Sequence, residues 1–149
     1  MGTGAKNYRE MRVWGSARAF KKTIYDLVDA KEFAKEERLR HQLREAAASA
    51  AGQIGEGYGR FEPGDHARYL KMARAPLIEC QNHLIDAVDR KTITETVRHQ
   101  HDATIVGILR ELDPLIGYLQ SPEAKKNVER IKGQRAERRK RDRKRNDEL

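Results

Sequence analysis

Apolar residues recur every three or four positions in four successive segments of this 149-residue chain, which is the spacing of one face of an α-helix. An amphipathic helix becomes stable when its apolar stripe packs against another element, so four such stripes predict an all-α bundle around one hydrophobic core. The stripes consist of Val13, Ala17, Phe20, Ile24 and Leu27; of Leu39, Leu43, Ala46, Ala50 and Ile54; of Tyr69, Leu70, Ala73, Leu77, Cys80, Leu84 and Val88; and of Val97, His101, Ile105, Ile108, Leu112, Leu115 and Leu119.

The sequence also indicates where the first two helices begin and end. We expect helix 1 to run from about Tyr8 to about Phe33. Helix 2 is rich in alanine, which has a high helix propensity and a small side chain, so a neighbouring helix can approach it closely. It should end within the glycine-rich stretch Gly55–Gly59. Glycine adopts the left-handed conformation in which many helices end, so we predict a positive φ angle at Gly57.

Capping residues and prolines indicate the limits of the next two helices. Asp65 can cap helix 3. Pro76 should kink helix 3 unless a new helix begins there, because proline lacks the backbone donor and crowds the preceding turn. Helix 4 should open near Thr94 and bend at Pro114. The four helices together predict a bundle domain over residues 1–120.

Residues 121–149 differ in character from the rest of the chain. The segment opens with Ser121-Pro122-Glu123, a capping hydroxyl followed by a proline and an acid, which is typical of a helix start. Its 12 Lys or Arg and six Asp or Glu supply most of the formal net charge of +8, and it lacks an apolar stripe. We therefore predict a basic C-terminal extension that can form a solvated helix without a core of its own.

Several classes of function find no support in the residue pattern. Cys80 is the only cysteine, so the chain alone can form neither a disulfide nor a cysteine-cluster metal site. His99 and His101 lie two positions apart and face different sides of a helix, and no nucleophile-and-base pattern is recognisable. We expect a non-enzymatic protein without metal or cofactor. Because no segment has the apolar character of a signal peptide or a membrane span, we expect it in the cytoplasm and away from membranes.

Helices 2 and 3 carry motifs that resemble a known family. The motifs are Gln42-Leu43-Arg44, Ala46-Ala47-Ala48-Ser49, Ile54-Gly55-Glu56-Gly57-Tyr58-Gly59-Arg60, Tyr69-Leu70-Lys71-Met72-Ala73 and Glu79, with Met11-Arg12-Val13-Trp14 and Ala17 in helix 1. They are similar to those of the bacterial four-helix-bundle proteins encoded in intervening sequences of large-subunit ribosomal RNA genes. That family is related to the accessory variability determinants of diversity-generating retroelements. The resemblance extends from about Tyr8 to Leu119, so the basic extension lies outside it.

The resemblance implies both an architecture and partners. It implies an up-down-up-down four-helix bundle that assembles into a homopentamer, and retroelement members of the family bind nucleic acid and associate with a reverse transcriptase. We expect exposed Trp14 and Tyr69, together with alanine-rich helix 2, to extend the packing to neighbouring copies in a closed ring. The family has no agreed enzymatic activity, so the resemblance indicates an architecture more than a reaction.

Basic residues are the candidate contacts to nucleic acid, because Lys and Arg neutralise backbone phosphates. Arg68, Lys71 and Arg74 step by three positions along helix 3 and could share a short positive strip. The extension has no aromatic residue, so we expect phosphate contact there rather than base stacking. The alternative is a charged face that is only solvated. The candidates are Arg18, Lys21, Lys22, Arg38, Arg44, Arg60, Arg68, Lys71, Arg74, Arg135, Arg138, Arg139, Lys140, Arg141, Arg143, Lys144 and Arg145.

A line of polar residues lies close to the apolar stripe of helix 2. Four residues share one side of helix 2, and a carboxylate of helix 3 can face the same seam. Buried polar groups need partners, so we expect these residues to form an interhelical network or to line a subunit interface. A ligand site is the less favoured alternative. This polar seam consists of Gln42, Ser49, Gln53, Glu56 and Glu79.

These features together predict a non-enzymatic, homo-oligomeric accessory or scaffold protein that binds the backbone of RNA or DNA, with a reverse transcriptase as a candidate partner. Two alternatives stay open. One is a protein-interaction module whose basic surface has no nucleic-acid role. The other is a small-ligand binder or enzyme that uses Gln53, Glu56 and Glu79.

Overall fold

The computed structural model describes residues 11–149, which form five α-helices joined by short connections. No strand occurs among these residues, so the predicted all-α class is confirmed for this part of the chain. A fifth helix is present where the sequence predicted a basic extension that can be helical. The helices are α1 (Arg12–Val28), α2 (Glu37–Tyr58), α3 (Pro63–Asp89), α4 (Glu95–Leu119) and α5 (Pro122–Asp147), with a 3-10 turn at Lys31–Phe33.

The first four helices, α1 to α4, are together called the bundle, and they enclose one hydrophobic core. α2 packs against α1 and α3, α3 packs against α4, and α1 also packs against α4. The predicted stripes supply most of the core, and large side chains such as those of Phe20, Leu43 and Leu77 are fully buried. Ala47 and Ala50 of α2 are buried as well, and their small side chains allow the neighbouring helices to lie close to α2.

Helix 1 ends earlier than predicted. Its expected start near Tyr8 lies outside the described residues, and its last residue is Val28 rather than Phe33. The backbone becomes extended at Ala30, with φ −65° and ψ 148°, and then forms the 3-10 turn. Phe33 is nevertheless only 1% exposed, because the turn directs its ring back into the core. Apolar spacing alone does not distinguish this turn from a continued helix.

The predicted cap of helix 3 is wrong. Glu62, not Asp65, occupies the cap position, and Pro63 is the first helical residue. Proline suits this position because its φ angle is already helical and its missing N–H would have no partner there. Asp65 lies in the first turn instead, where it accepts hydrogen bonds from Nε of Arg68 at 3.0 Å and from Nη2 at 2.8 Å.

The two prolines within helices do not end them. α3 continues through Pro76 to Asp89, so no new helix begins at the proline. α4 likewise continues through Pro114. The predicted start of α4 is confirmed, since Oγ1 of Thr94 caps the helix and accepts a hydrogen bond from the backbone N–H of Val97 at 3.2 Å.

Gly57 requires a second correction. α2 ends at Tyr58, within the predicted stretch, but Gly57 is part of the helix and does not have the predicted positive φ angle. The reason for glycine is the close approach of α3. A Cβ atom at this position would lie 2.9 Å from Cβ of Tyr69 and 3.1 Å from Cδ2 of His66. The backbones of α2 and α3 can come this close only because residue 57 has no side chain.

Candidate nucleic-acid interface

The first turns of α5 attach it to the bundle. Oγ of Ser121 caps the helix and accepts a hydrogen bond from the N–H of Ala124 at 3.3 Å, which confirms the predicted helix start. Ala124 is buried, and Nδ2 of Asn127 donates to Oη of Tyr118 at 3.0 Å. The first turns of the extension therefore pack against α4, although the extension lacks a continuous apolar stripe.

Beyond Ile131, every residue of α5 is exposed. At a rise of about 1.5 Å per residue, residues 132–147 form an exposed helical segment roughly 24 Å long. Its basic residues lie on all sides of the helix rather than on one face. Among them, only Lys132 and Arg141 have a carboxylate within 4.0 Å in the described part of the chain: Lys132 has those of Glu62 and Glu129, and Arg141 has that of Glu137. The predicted binding residues in this segment are Arg135, Arg138, Arg139, Lys140, Arg141, Arg143, Lys144 and Arg145.

The connection between α2 and α3 contacts α5 where the helix leaves the bundle. Nζ of Lys132 lies 2.7 Å from Oε1 of Glu62, and this hydrogen bond raises the pKa of the Lys132 ammonium. The ring centroid of Phe61 lies 5.7 Å from Nζ of Lys132 and 5.2 Å from Cζ of Arg135, both within the range of a cation–π contact. The fold thus places an aromatic ring beside the basic helix.

Sequence reasoning missed both Phe61 and Lys132 as part of this surface. Phe61 lies only two positions before Pro63, in the turn that follows the glycine-rich stretch, and its large ring in a short polar connection was an available signal. Lys132 pairs with a carboxylate 70 positions earlier in the chain, so no local pattern could have indicated the contact.

Several predicted cations of the bundle are already paired. Nη1 of Arg44 lies 3.5 Å from Oδ1 of Asp29, and the Arg44 guanidinium lies over the ring of Tyr25. Arg74 forms an ion pair with Asp113 of α4. A phosphate would have to displace these carboxylates, so the paired arginines are weaker candidates than the cations of α5.

The predicted positive strip on α3 is reduced in the same way. Arg68 lies 2.8 Å from Asp65, and Arg74 is paired across to α4. Lys71 is exposed, and no carboxylate between residues 11 and 149 lies within ion-pair distance of it. The strip therefore offers one unpaired cation in this part of the chain rather than three.

The remaining predicted cations lie on separate parts of the bundle. Arg18 of α1 lies over the ring of Trp14, 5.7 Å from its centroid. The guanidinium of Arg60, just after α2, lies 4.5 Å from the ring centroid of Tyr69, and its Nε lies 3.9 Å from Oδ2 of Asp65. The others are half-buried Lys21 and exposed Lys22 and Arg38. Positive charge without a carboxylate partner is thus concentrated on α5.

The predicted polar seam faces solvent over most of its length. Oε1 of Glu79 lies 3.3 Å from Nε2 of His83 on its own helix, and Oε1 of Gln53 is buried without a hydrogen-bond partner. Over the described range, no hydrogen bond joins any two residues of the seam, so a subunit interface stays as the alternative that would supply partners. The exposed residues are Ser49, Glu56 and Glu79, and the half-buried ones are Gln42 and Gln53.

In the described part of the chain, the side chains that can bind metals are not grouped into a metal site, and the one thiol is buried. Residues 11–149 contain no cluster of three His, Cys, Asp or Glu side chains that could hold a metal ion. Burial raises the pKa of the Cys80 thiol to about 12, so its thiolate is scarce at neutral pH.

An open groove of about 1000 Å³ beside the start of α2 is lined by charges of both signs, including Glu37 and Arg40. None of the helices of this range is long and apolar enough to cross a membrane.

The burial of His66 predicts that the stability of the α2–α3 contact depends on pH. Its side chain is buried, Nε2 has no hydrogen-bond partner, and burial lowers the pKa of the imidazole. The folded state favours the neutral ring, so this stabilisation is complete above the unfolded-state pKa of about 6.5 and declines as the pH falls below it. We expect the Tm to decrease between about pH 7.5 and about pH 5.5, and to decrease less in His66→Gln.

Thermal melts of the two proteins at both pH values test this expectation. His41 is a matched control, because its imidazole is exposed and pairs with Glu45 on the surface. His41→Gln should show nearly the same change in Tm as the unmodified chain. An identical change in Tm for His66→Gln would show that His66 does not contribute to the pH dependence.

Comparison with known proteins gives one family. The family described as 23S rRNA-intervening sequence protein matches residues 9–113, a span that includes α1, α2, α3 and most of α4 and excludes α5. None of the curated proteins matches the chain. Because the matched span covers well over half of the 149 residues, the chain belongs to the 23S rRNA-intervening sequence protein family.

Proposed function

We propose that this chain is a non-enzymatic accessory or scaffold protein that binds RNA or DNA through the phosphate backbone, with α5 as its main contact surface. One observation carries the proposal: an exposed helical segment of roughly 24 Å whose cations, except Lys132 and Arg141, lack carboxylate partners in the described structure. Membership of a family described by a ribosomal RNA intervening sequence supports a role connected with RNA.

The distribution of charge on α5 favours a polyanion as the partner. Cations that lie around the whole helix can contact phosphates on more than one strand or segment, and each contact releases condensed counterions. Contacts to phosphates fix the position of a nucleic acid but carry no sequence information. The proposal therefore includes weak sequence preference and strong dependence on salt.

Titration of the intact chain with labelled RNA and DNA oligonucleotides tests this proposal. Fluorescence anisotropy at about 50 mM and about 200 mM salt should show an affinity that falls steeply with salt and varies little among sequences. An absence of binding to every oligonucleotide at the lower salt concentration would favour the alternative, an interaction module whose basic surface has no nucleic-acid role.

We also propose that the protein is a homo-oligomer, and the exposed apolar residues of α3 support this. Ile78 and Ile85 are 49% and 48% exposed and lie seven positions apart, which places them on one side of the helix. Trp14 and Tyr69, which the sequence suggested as exposed, are half-buried within the chain. An apolar pair on one helix face is suited to contact with another copy. The number of five copies rests on the sequence resemblance alone.

The oligomer proposal predicts a large change in mass for the double replacement Ile78→Asp and Ile85→Asp. The unmodified chain should scatter light as a multiple of 17.2 kDa, and the double variant should scatter as a monomer, because two carboxylates would be buried in the interface. Circular dichroism should show unchanged helicity, since both side chains are exposed. Lys22→Asp on α1 is the control. A monomer mass for the unmodified chain at about micromolar concentration would contradict the proposal.

The proposed function includes a helix topology, a cellular location and a candidate partner protein. The contacts of α1 with α2, α2 with α3, α3 with α4 and α4 with α1 support an up-down-up-down bundle. We propose a cytoplasmic location, with a reverse transcriptase as a candidate partner on the basis of the resemblance. A reverse transcriptase gene with a repeated template beside this gene would support a role in a diversity-generating retroelement. A position of this gene in an intervening sequence within a ribosomal RNA gene would support a role connected with the ribosomal RNA instead.

The alternative of a small-ligand site or enzyme at the polar seam has less support. Glu56 and Glu79 are exposed, and Glu79 contacts His83 on its own helix rather than the residues of α2. The buried Oε1 of Gln53 is a single unsatisfied atom, and a second copy of the chain can satisfy it as well as a ligand can.

A further inference from the structure

We propose that the exposed ring of Phe61 stacks on a nucleobase, so that this surface prefers single-stranded nucleic acid over a duplex. The inference rests on the proposed function and specifies its ligand. It adds base stacking to the phosphate contacts that were expected from the sequence of the extension. The stacking residue lies in the connection between α2 and α3, and the phosphate-binding residues lie on α5.

The position of Phe61 makes its ring accessible. It belongs to the four-residue connection between Tyr58 and Pro63, and the residue is 45% exposed. The ring remains in place because it packs against the side chains of Lys132 and Arg135, at 5.7 Å and 5.2 Å from the centroid. The exposed part of the ring is thus held beside the first residues of the exposed segment 132–147. A strand bound along this segment would pass the ring where it reaches the bundle.

The cations beside the ring have different roles. Lys132 lies 2.7 Å from Glu62, so its charge is compensated and it links α5 to the connection. The guanidinium of Arg135, in contrast, has no carboxylate within 4.0 Å in the described structure. A base that stacks on Phe61 brings the phosphate of its own nucleotide within reach of Arg135. Ring and guanidinium together form the aromatic and cationic pair that binds single strands.

Other aromatic rings of the bundle are less suited to this role. Tyr69 is half-buried, and the guanidinium groups of Arg60 and Arg68 both lie over its ring, at 4.5 Å and 4.9 Å from the centroid. These two guanidinium groups lie closer to the ring centroid of Tyr69 than Lys132 and Arg135 lie to that of Phe61. Phe61 is the more exposed ring, and it lies directly beside α5.

The preference for single strands follows from the accessibility of the base faces. In a duplex the bases stack on each other, so a protein reaches only their edges and the phosphates unless it first unpairs a base. A single strand can place one base on an aromatic ring at little cost, and every base has a face that can stack. The cations of α5 serve both forms, whereas Phe61 serves only the single strand.

The test compares Phe61→Leu and Phe61→Tyr in the full chain, with a single-stranded oligonucleotide and with a duplex of the same sequence. Leucine keeps apolar packing against α5 but has no ring, and tyrosine keeps the ring. We expect Phe61→Leu to bind the single strand about tenfold more weakly and the duplex with unchanged affinity. Phe61→Tyr should resemble the unmodified chain with both ligands.

A fluorescent base within the single strand gives a second readout. Its emission should change when the base stacks on the ring, so the unmodified chain and Phe61→Tyr should alter it and Phe61→Leu should leave it nearly unchanged. Equal losses of affinity for single strand and duplex in Phe61→Leu would mean that the residue only positions α5, and would overturn the inference. Unchanged affinity in Phe61→Leu would overturn it as well, while the proposed function would stand. Failure of the unmodified chain to bind either ligand would instead overturn the proposed function.

Discussion

Removal of residues 133–149 should weaken nucleic-acid binding by about a hundredfold or more near physiological salt, and the bundle should stay folded. The deleted segment carries eight Lys or Arg against four Asp or Glu, and all of its residues are exposed. The contacts that attach α5 to the bundle remain, because Ala124, Asn127 and Lys132 precede the cut. The Tm should therefore change by only about a few degrees.

The dependence of affinity on salt identifies the cause of this loss. If phosphates on the nucleic acid are no longer neutralised, the plot of log affinity against log salt should flatten in the truncated chain. A matched full-length variant in which Arg135, Arg138, Arg139 and Lys140 are replaced by Gln tests charge without removing the helix, because the helix propensity of Gln is close to that of Lys and Arg. It should reproduce part of the loss and part of the flattening.

A truncated chain with the affinity and salt slope of the intact one would exclude residues 133–149 of α5 as the contact surface. The search would then move to the bundle, where Lys22, Arg38 and Lys71 are exposed and have no carboxylate within 4.0 Å in the described part of the chain. A truncated chain with a much lower Tm would indicate that α5 supports the fold beyond its first turns, and the loss of affinity would then need correction for the unfolded fraction.

The helical stripes could be predicted from the sequence because burial follows their period closely. Leu43, Leu77 and Leu112 belong to three of the predicted stripes and are fully buried. The side-chain caps at Thr94 and Ser121 were also predictable, since each hydroxyl acts on a backbone group three residues away. These features depend on residues only a few positions apart, so they can be recognised in a single sequence.

The features that escaped prediction depend on contacts between distant segments. Gly57 is needed because of a helix that begins six positions later, not because of the turn in which glycine usually appears. The ion pair of Arg74 joins residues 39 positions apart, so the sequence did not reveal which cations keep an uncompensated charge. The contact of Phe61 with α5 was hidden for the same reason. Sequence alone indicated that the chain is basic, and the fold determined where that charge is available.

Replacement of Gly57 by valine should destabilise the fold by roughly 3 kcal/mol, and replacement by alanine by roughly 2 kcal/mol. A Cβ atom at residue 57 would lie 2.9 Å from Cβ of Tyr69, and neither atom can rotate away because both are fixed to their backbones. α3 would have to move away from α2 to relieve the clash. Urea denaturation followed by circular dichroism measures the free energy of unfolding of each variant.

Gly52 is the matched control, because it lies in the same helix, is exposed, and has room for a Cβ atom, which would meet no neighbouring helix or side chain of residues 11–149 within 4 Å. Gly52→Ala should stabilise the protein by about 0.5–1 kcal/mol, since alanine has the higher helix propensity. The two alanine variants should therefore differ in sign. If Gly57→Ala is as stable as Gly52→Ala, the contact between α2 and α3 is looser than described. If it keeps its stability but loses nucleic-acid binding, the end of α2 itself contacts the ligand, whereas a loss of stability alone leaves α5 and Phe61 as the binding surface.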